Sequence, residues 1–249
     1  MSLESESTAS AGDGGGDRIL SVDGVGVSYG KVAALQDVSV SVGEGEVVSV
    51  IGPNGAGKTT LAETVSGFHD YDGSVRFEDD EVRSQSVDAL VERGLIHCTE
   101  TRDLFGYMTV EENLTLGSYR RHDDTGERLD YVYDVFPVLD ERSEQEAHTM
   151  SGGEQQMLAI GRALMGDPEL LILDEPTIGL APVIVQDISA ALTEIQESGV
   201  TVLLCEQNVT FAVKHADRIY LLENGSVVRE GTAESLQGDE YIRDAYLGT

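Results

Sequence analysis

Short apolar runs alternate with amphipathic stretches along most of this chain. Asp37–Val42 alternates polar and apolar residues with a period of two, which is typical of a strand buried on one face. Val47–Ile51 and Leu170–Leu173 are mainly apolar and β-branched or aliphatic, as expected for strands buried on both faces of a parallel sheet. Pro182–Glu197 has the pattern of a helix that follows such a strand. This alternation predicts an α/β fold with a mostly parallel core sheet.

The remaining segments extend this prediction. Residues 87–140 show helical patterns interrupted at Pro137, so they are interpreted as a mostly helical insertion. Asn224-Gly225 is a hairpin signal between two apolar runs. Further strands are predicted at 19–29, 73–77, 200–204, 217–222 and 226–230.

The charge of the chain is strongly unbalanced. Forty-six acidic residues face 16 basic ones, giving a net charge of −30. Such self-repulsion weakens a fold at ordinary ionic strength but is screened in molar salt, so we expect a salt-rich cytoplasm, as in a halophile. No basic stripe is present, which argues against binding to nucleic acid. Residues 1–17 are acidic and rich in glycine and serine, which predicts a disordered tail rather than a secretory signal and places the protein in the cytoplasm.

A glycine-rich stretch follows the run Val47–Ile51. It fits the pattern G-x-x-x-x-G-K-[ST], with an apolar strand before it and a helix after it. Its glycines let backbone N–H groups point at phosphate oxygens, Lys58 reaches the β- and γ-phosphates, and the Thr59 hydroxyl binds Mg²⁺. The predicted nucleotide-binding residues here are Gly52, Pro53, Asn54, Gly55, Ala56, Gly57, Lys58, Thr59 and Thr60.

Two adjacent carboxylates end the run Leu170–Leu173. We expect Asp174 to hold Mg²⁺, and Glu175 to polarise the attacking water as a general base. ATP and Mg²⁺ are therefore the predicted cofactors.

A second glycine-containing helix start lies nearly a hundred residues after the first. Ser151 and Glu154 have the spacing of a capping box, which alone would explain a capped helix. Gly152 and Gly153 are not needed for capping and weaken a helix start, so they indicate a second phosphate site.

GPNGAGKTT, SGGEQQ and LLILDEP, in this order and spacing, resemble the ATPase subunit of ABC transporters over residues 18–249. The resemblance implies a P-loop NTPase fold with an antiparallel β subdomain and a helical subdomain. The helical subdomain spans about 87–165 and includes the signature helix, which begins at the signature motif Ser151-Gly152-Gly153-Glu154. The resemblance also implies that Ser151, Gly152, Gly153 and Glu154 contact ATP bound to a partner subunit.

CTETRDLFGYMTVEENL, DEPTIGLAP and CEQN narrow the resemblance to the ATPases of branched-chain amino-acid uptake systems. Tyr29 matches the aromatic residue that stacks on adenine. Glu100 stands where most relatives have a metal-contacting glutamine, and Gln207 where most have a catalytic histidine. Ala181 replaces a common aspartate.

The resemblance implies an ATP-driven importer subunit on the inner face of the membrane. Its expected partners are integral-membrane permeases and a second ATPase subunit, with a solute-binding protein acting indirectly. Three alternatives stay open: an importer of urea or short amides, a soluble ABC protein acting on ribosomes or DNA, and a subunit that binds but hardly hydrolyses ATP.

Overall fold

The computed structural model describes residues 18–120 and 124–237, and the predicted tail at 1–17 lies outside this part of the chain. Ten strands and nine α-helices are present in the described ranges. In chain order they are β1 Arg18–Tyr29, β2 Val32–Gly43, β3 Val47–Ile51, α1 Lys58–Val65, β4 Asp72–Phe77, β5 Asp80–Glu81, α2 Val87–Glu92, β6 Leu95–Cys98, α3 Val110–Gly117, α4 Thr125–Val135, α5 Pro137–Glu141, α6 Gly152–Leu164, β7 Leu170–Asp174, α7 Pro182–Glu197, β8 Thr201–Glu206, α8 Val209–His215, β9 Arg218–Glu223, β10 Ser226–Thr232 and α9 Ala233–Gln237.

Six strands form the core sheet in the order β10-β9-β3-β8-β7-β6. All neighbours in it pair in parallel except β9 and β10, which are antiparallel. These two strands are joined by Asn224 and Gly225, both with positive φ (47° and 80°), as a tight primed hairpin turn requires. The prediction of a mostly parallel core sheet is confirmed.

Both faces of the core sheet are buried. Val47 and Ile51 of β3 pack with the helical side of the protein, whereas Val48 and Val50 pack with α1 and the second sheet. The second sheet is antiparallel, in the order β2-β1-β4-β5. The glycine-rich stretch from Gly52 to Thr60, called the P-loop below, therefore follows a central strand of a sheet that is covered on both sides.

The mostly helical segment 87–140 also contains one strand, β6, that the sequence patterns did not predict. Leu95–Cys98 pairs in parallel with β7 and forms an edge of the core sheet. Four residues are too few to establish a period of two, and helical patterns precede and follow them. The helices α3–α6 follow this strand, and α4 ends at Val135, just before Pro137 begins α5.

Helices α3 and α6 pack at very short range. A Cβ added to Gly117 would lie 2.1 Å from the carbonyl oxygen of Arg162, so only glycine fits there. Gly161 of α6 likewise lies under Leu114, Val132 and Leu139. These contacts fix α6 against the helices that precede it.

Candidate functional site

The glycine-rich loop connects β3 to α1. Gly57 has φ 111°, a conformation that favours glycine, and it caps α1 without any side-chain hydrogen bond. A cavity of about 320 Å³ lies over this helix end. Its lining residues are Ala34, Asn54, Gly55, Gly57, Lys58, Thr59, Thr60, Glu100, Glu175 and Ile178.

Lys58 is buried beneath the cavity, with 4% of its surface exposed. Its Nζ donates to the carbonyl oxygens of Gly52 (2.8 Å) and Pro53 (3.2 Å). It also lies 2.9 Å from Glu175 Oε1. The cation and the carboxylate predicted to act on phosphate and water are therefore in direct contact.

Glu175 has an unusual backbone conformation for a residue that is not glycine, with φ 50°. Its Oε2 accepts a hydrogen bond from the backbone N–H of Gln207 (3.1 Å), and its own N–H donates to the Cys205 carbonyl (2.8 Å). These bonds tie the carboxylate to the end of β8 as well as to Lys58. The strained geometry at a predicted catalytic position is typical of functional sites.

Asp174 is the last residue of β7 and is 1% exposed. Burial raises its pKa to about 6; the nearby Thr59 hydroxyl opposes this shift, and the carboxylates of Glu175 and Glu100 add to it. Neither of its carboxylate oxygens has a hydrogen-bond partner in the part of the chain that the structure describes. A buried carboxylate without partners is costly unless a cation satisfies it.

The donor set around Asp174 fits Mg²⁺. The Thr59 hydroxyl and Glu100 line the same cavity, and Asp174 supplies two unsatisfied oxygens beside it. Oxygen donors of this kind are those that Mg²⁺ prefers.

The signature stretch forms a regular capped helix start. Ser151 Oγ accepts from the Glu154 N–H (3.3 Å), and Glu154 Oε2 accepts from the Ser151 N–H (2.8 Å). The described lining of the P-loop cavity does not include Ser151, Gly152, Gly153 or Glu154. The structure therefore leaves this helix end separate from the chain's own cavity.

Tyr29 and Gln207 also lie outside the lining of that cavity, as far as the described residues go. Tyr29 is 49% exposed, and its hydroxyl lies 2.8 Å from Nε2 of His69, whose ring packs edge-on against it. The same Nε2 lies 2.7 Å from Glu63 Oε2. His69 and Glu63 thus fix the ring predicted to stack on adenine, a contact that sequence spacing does not reveal.

Glu206 is a further site residue that the sequence analysis missed. It is 1% exposed, and Oε1 accepts from the backbone N–H (3.1 Å) and hydroxyl (2.6 Å) of Thr177 while Oε2 accepts from the Asn208 N–H (3.0 Å). Burial raises its pKa to about 7. It joins the loop after Glu175 to the loop that contains Gln207. A carboxylate following the apolar run of β8 was the available signal.

Within residues 18–120 and 124–237, no helix is both long and apolar enough to cross a bilayer. Cys98 and Cys205 are both unpaired and buried.

Comparison with protein families gives one match to this arrangement of motifs. The model of the family described as "ABC transporter" matches residues 35–178. Among curated proteins, the chain is 49% identical over 232 residues to the high-affinity branched-chain amino acid transport ATP-binding protein BraG of Pseudomonas aeruginosa. That alignment covers 92% of this chain and 100% of BraG.

Solved structures agree with this match. The ADP conformation of MJ1267, an ATP-binding cassette of an ABC transporter, superposes with a TM-score of 0.82 at 28% identity and covers 93% of this chain and 99% of that one. The dimeric post-hydrolysis state of the cassette MJ0796, bound to ADP and Pi, gives a TM-score of 0.75 at 26% identity, with 86% and 98% covered.

Proposed function

The chain belongs to the ATP-binding proteins of the ABC transporter family and is an ATPase of that family, and on this premise we propose that it energises the uptake of branched-chain or related amino acids. The amino-acid class is supported by the 49% identity to BraG across 92% of this chain. ATP hydrolysis is supported by the contact of Lys58 with Glu175 next to the partnerless carboxylate of Asp174.

In this proposal, ATP binds to the P-loop. The N–H groups at the uncapped start of α1 bind the β- and γ-phosphates, and Lys58 exchanges its bond to Glu175 for phosphate oxygens. Tyr29 stacks on the adenine from its exposed position at the end of β1. Loss of the Lys58 contact leaves Glu175 available to act as a base.

Thr59, Glu100 and Asp174 would hold Mg²⁺ at this site. When bound, the metal neutralises charge on the β- and γ-phosphates. Glu100 carries a negative charge where a neutral amide is usual in the family it resembles, which makes the site more attractive to a divalent cation.

Hydrolysis then requires a water placed against Glu175. The water oxygen forms a bond to the γ-phosphorus as the bond from that phosphorus to the β,γ-bridging oxygen breaks. Glu175 accepts a proton from the water, and the products are ADP and inorganic phosphate. Gln207 donates a side-chain N–H to the γ-phosphate, and its backbone N–H already orients Glu175.

ABC cassettes dimerise and work with permease subunits. We assign Ser151, Gly152, Gly153 and Glu154 to the ATP held by the partner ATPase, because they lie outside the chain's own cavity. The partner ATPase is a second copy or a like subunit, and the dimer sits on permeases at the inner face of the cell membrane. A solute-binding protein acts on the permeases rather than on this chain, and nucleic acid has no role.

The net charge of −30 further supports work in a salt-rich cytoplasm. Screening in molar KCl reduces carboxylate repulsion, so the free energy of unfolding should rise between 0.1 M and 2 M salt. Thermal unfolding across a KCl series measures this, and an unchanged midpoint would contradict it.

Replacing Glu175 with glutamine tests the hydrolytic assignment. We expect kcat of the purified chain to fall by about 100-fold or more, while binding of a fluorescent ATP analogue is retained. Glu194→Gln, on the exposed face of α7, is the matched control and keeps full activity. Unaffected hydrolysis in Glu175→Gln would contradict the general-base role.

The transport assignment is tested by capturing the chain from detergent-solubilised membranes in molar KCl, followed by mass spectrometry. Two multi-span permeases and an ATPase of the same type are expected. Ribosomal or DNA-associated partners without a permease would overturn the importer and leave only the ATPase.

A further inference from the structure

A tight turn follows the predicted metal ligand Glu100. Arg102 and Asp103 both have positive φ, 67° and 44°, which residues other than glycine rarely adopt in succession. The turn is held from helix α6. Arg162 donates from Nη2 to the carbonyl oxygen of Arg102 (2.8 Å) and from Nη1 to that of Asp103 (2.9 Å).

The same helix positions the Arg102 side chain. Arg102 Nε donates to Oε1 of Gln156, a residue of α6 (2.8 Å). A Cβ placed on Gly152 would lie 3.4 Å from Arg102 Nη1, so the guanidinium sits beside the first residue of α6. The strained turn and the two α6 side chains together bring a cation to the signature glycines.

No carboxylate oxygen of residues 18–120 and 124–237 lies within 4.0 Å of this guanidinium, although the chain is strongly acidic. Two acidic side chains of this turn and helix start have other partners. Asp103 Oδ2 accepts from the hydroxyls of Thr99 and Thr101, and Glu154 binds the Ser151 N–H and Arg142 (3.0 Å). Of the three side-chain nitrogens of Arg102, only Nε donates a hydrogen bond within the described part of the chain.

A cation at a helix N-terminus is electrostatically unfavourable, because the helix dipole places positive charge there as well. A second donor lacks an acceptor at the same place. Gln156 is 2% exposed, and its Nε2, on the amide carbon whose oxygen binds Arg102, has no hydrogen-bond partner among residues 18–120 and 124–237. Helix end, guanidinium and buried amide become a favourable set when an anion joins them.

We propose that Arg102 binds the γ-phosphate of ATP held in the P-loop of a second ATPase subunit, next to the signature glycines. This inference rests on the proposed function, because it requires a nucleotide shared between two subunits. Arg102 does not line the P-loop cavity of its own chain. It lines a second cavity of about 550 Å³, which shares Glu100 with the P-loop cavity and also includes Asp103, His148 and Gln155. A phosphate that reaches Arg102 in this proposal is therefore one held by another subunit.

The Arg102 guanidinium supplies a full positive charge and N–H donors whose geometry matches phosphate, and the capped start of α6 has neither by itself. We expect Arg102→Ala to lower kcat by about 10- to 100-fold through weaker transition-state stabilisation. Binding of a fluorescent ATP analogue to the monomer should change by less than about twofold, because the chain's own P-loop is intact. Arg102→Lys keeps the charge and should recover part of the lost rate.

Arg76→Ala is the matched control. Arg76 is exposed on β4 in the second sheet, and its removal should leave hydrolysis unchanged. Thermal unfolding of each variant identifies any loss of folding, and Arg102→Lys carries the test if Arg102→Ala fails to fold.

Mixing two impaired variants separates the proposal from a structural role. Lys58→Ala lacks a working P-loop and Arg102→Ala lacks the arginine. A mixed dimer contains one site with both groups intact, so mixing should restore up to about one quarter of wild-type activity. No recovery beyond the sum of the two separate activities would show that Arg102 acts within its own chain or only supports the fold, and would overturn the proposal.

Dimerisation gives a readout that does not need hydrolysis. In a Glu175→Gln background, light scattering after size exclusion should show an ATP-dependent dimer that Arg102→Ala weakens about 10-fold or more. Equal dimerisation with and without Arg102→Ala contradicts the arginine's role. An inactive wild type contradicts the proposed ATPase cycle instead, and Arg102 is then judged on the dimer alone.

Discussion

Helices α1 and α6 both have glycines at their starts, but the backbone N–H groups there are satisfied differently. Helix α1 begins after Gly57 with no side-chain cap and no acidic residue in its first turn. Helix α6 begins after Ser151 with a full capping box, and Glu154 lies in its first turn. The first start has N–H groups that its own side chains do not satisfy, whereas the second is largely satisfied by its own residues.

This difference separates a site that holds a nucleotide from one that responds to it. In the proposed function, phosphate would satisfy the N–H groups at the start of α1 and would contact Lys58, which is buried beneath them. The capping box of Ser151 and Glu154 already satisfies N–H groups at the start of α6, so this helix start is formed before a nucleotide of another subunit would meet it. The order of events that follows is binding at α1 first and contact with α6 second.

The largest effect is expected from removing the cation at α1. Lys58→Ala deletes the buried charge that contacts Glu175 and the predicted phosphates, so hydrolysis should fall by about 1,000-fold and nucleotide binding should weaken with it. Steady-state kinetics and titration with a fluorescent ATP analogue measure both. Lys214→Ala, on α8, is the control that keeps both properties. Tight binding in Lys58→Ala would remove the distinction between the two helix starts.

A smaller effect is expected from crowding the start of α6. A Cβ on Gly153 would lie 2.7 Å from Ile184 Cγ2, so Gly153→Ala must displace the first turn or the Ile184 side chain. We expect kcat to fall by about 10-fold while nucleotide affinity of the monomer is unchanged. Gly126→Ala, where a Cβ meets nothing within 4 Å, should keep full activity. A parallel loss of affinity would mean that α6 acts on its own chain's nucleotide.

The smallest effect concerns the two capping boxes. Ser151→Ala on α6 and Thr109→Ala on α3 each remove the same kind of hydrogen bond and should each lower the free energy of unfolding by about 1 kcal/mol. Only Ser151→Ala should also slow hydrolysis, because its hydroxyl is proposed to face the partner's phosphate. Denaturant titration and ATPase assays on both variants decide this, and equal hydrolysis in the two would reduce Ser151 to a cap.

Sequence periodicity and motif context anticipated much of this molecule. The central strand β3, the P-loop and Asp174-Glu175 are encoded by contiguous residues, so their local order and their meeting at one end of a parallel sheet could be inferred. Helix α7 runs from Pro182 to Glu197 as predicted, because proline at the first position marks its start.

The contacts that could not be inferred join residues far apart in sequence. Arg102 meets Gln156 and Arg162 only because the strained turn folds back on α6. His69 reaches Tyr29 over 40 positions, and Glu206 reaches Thr177 over 29. Such pairs depend on side-chain direction after packing, which no local period records.

The close approach of α3 and α6 has a mechanical consequence. The Arg162 carbonyl lies against Gly117, the last residue of α3, and the Arg162 side chain holds the turn after Glu100. One residue of α6 therefore links the end of α3 to the loop that leads to the predicted metal site. These parts are closely packed, and packed protein interiors are hardly compressible. A displacement of α3 is therefore expected to move α6 as well. The helices α3 and α6 would then move as one rigid unit, and the contact made with α3 would set the size of the movement.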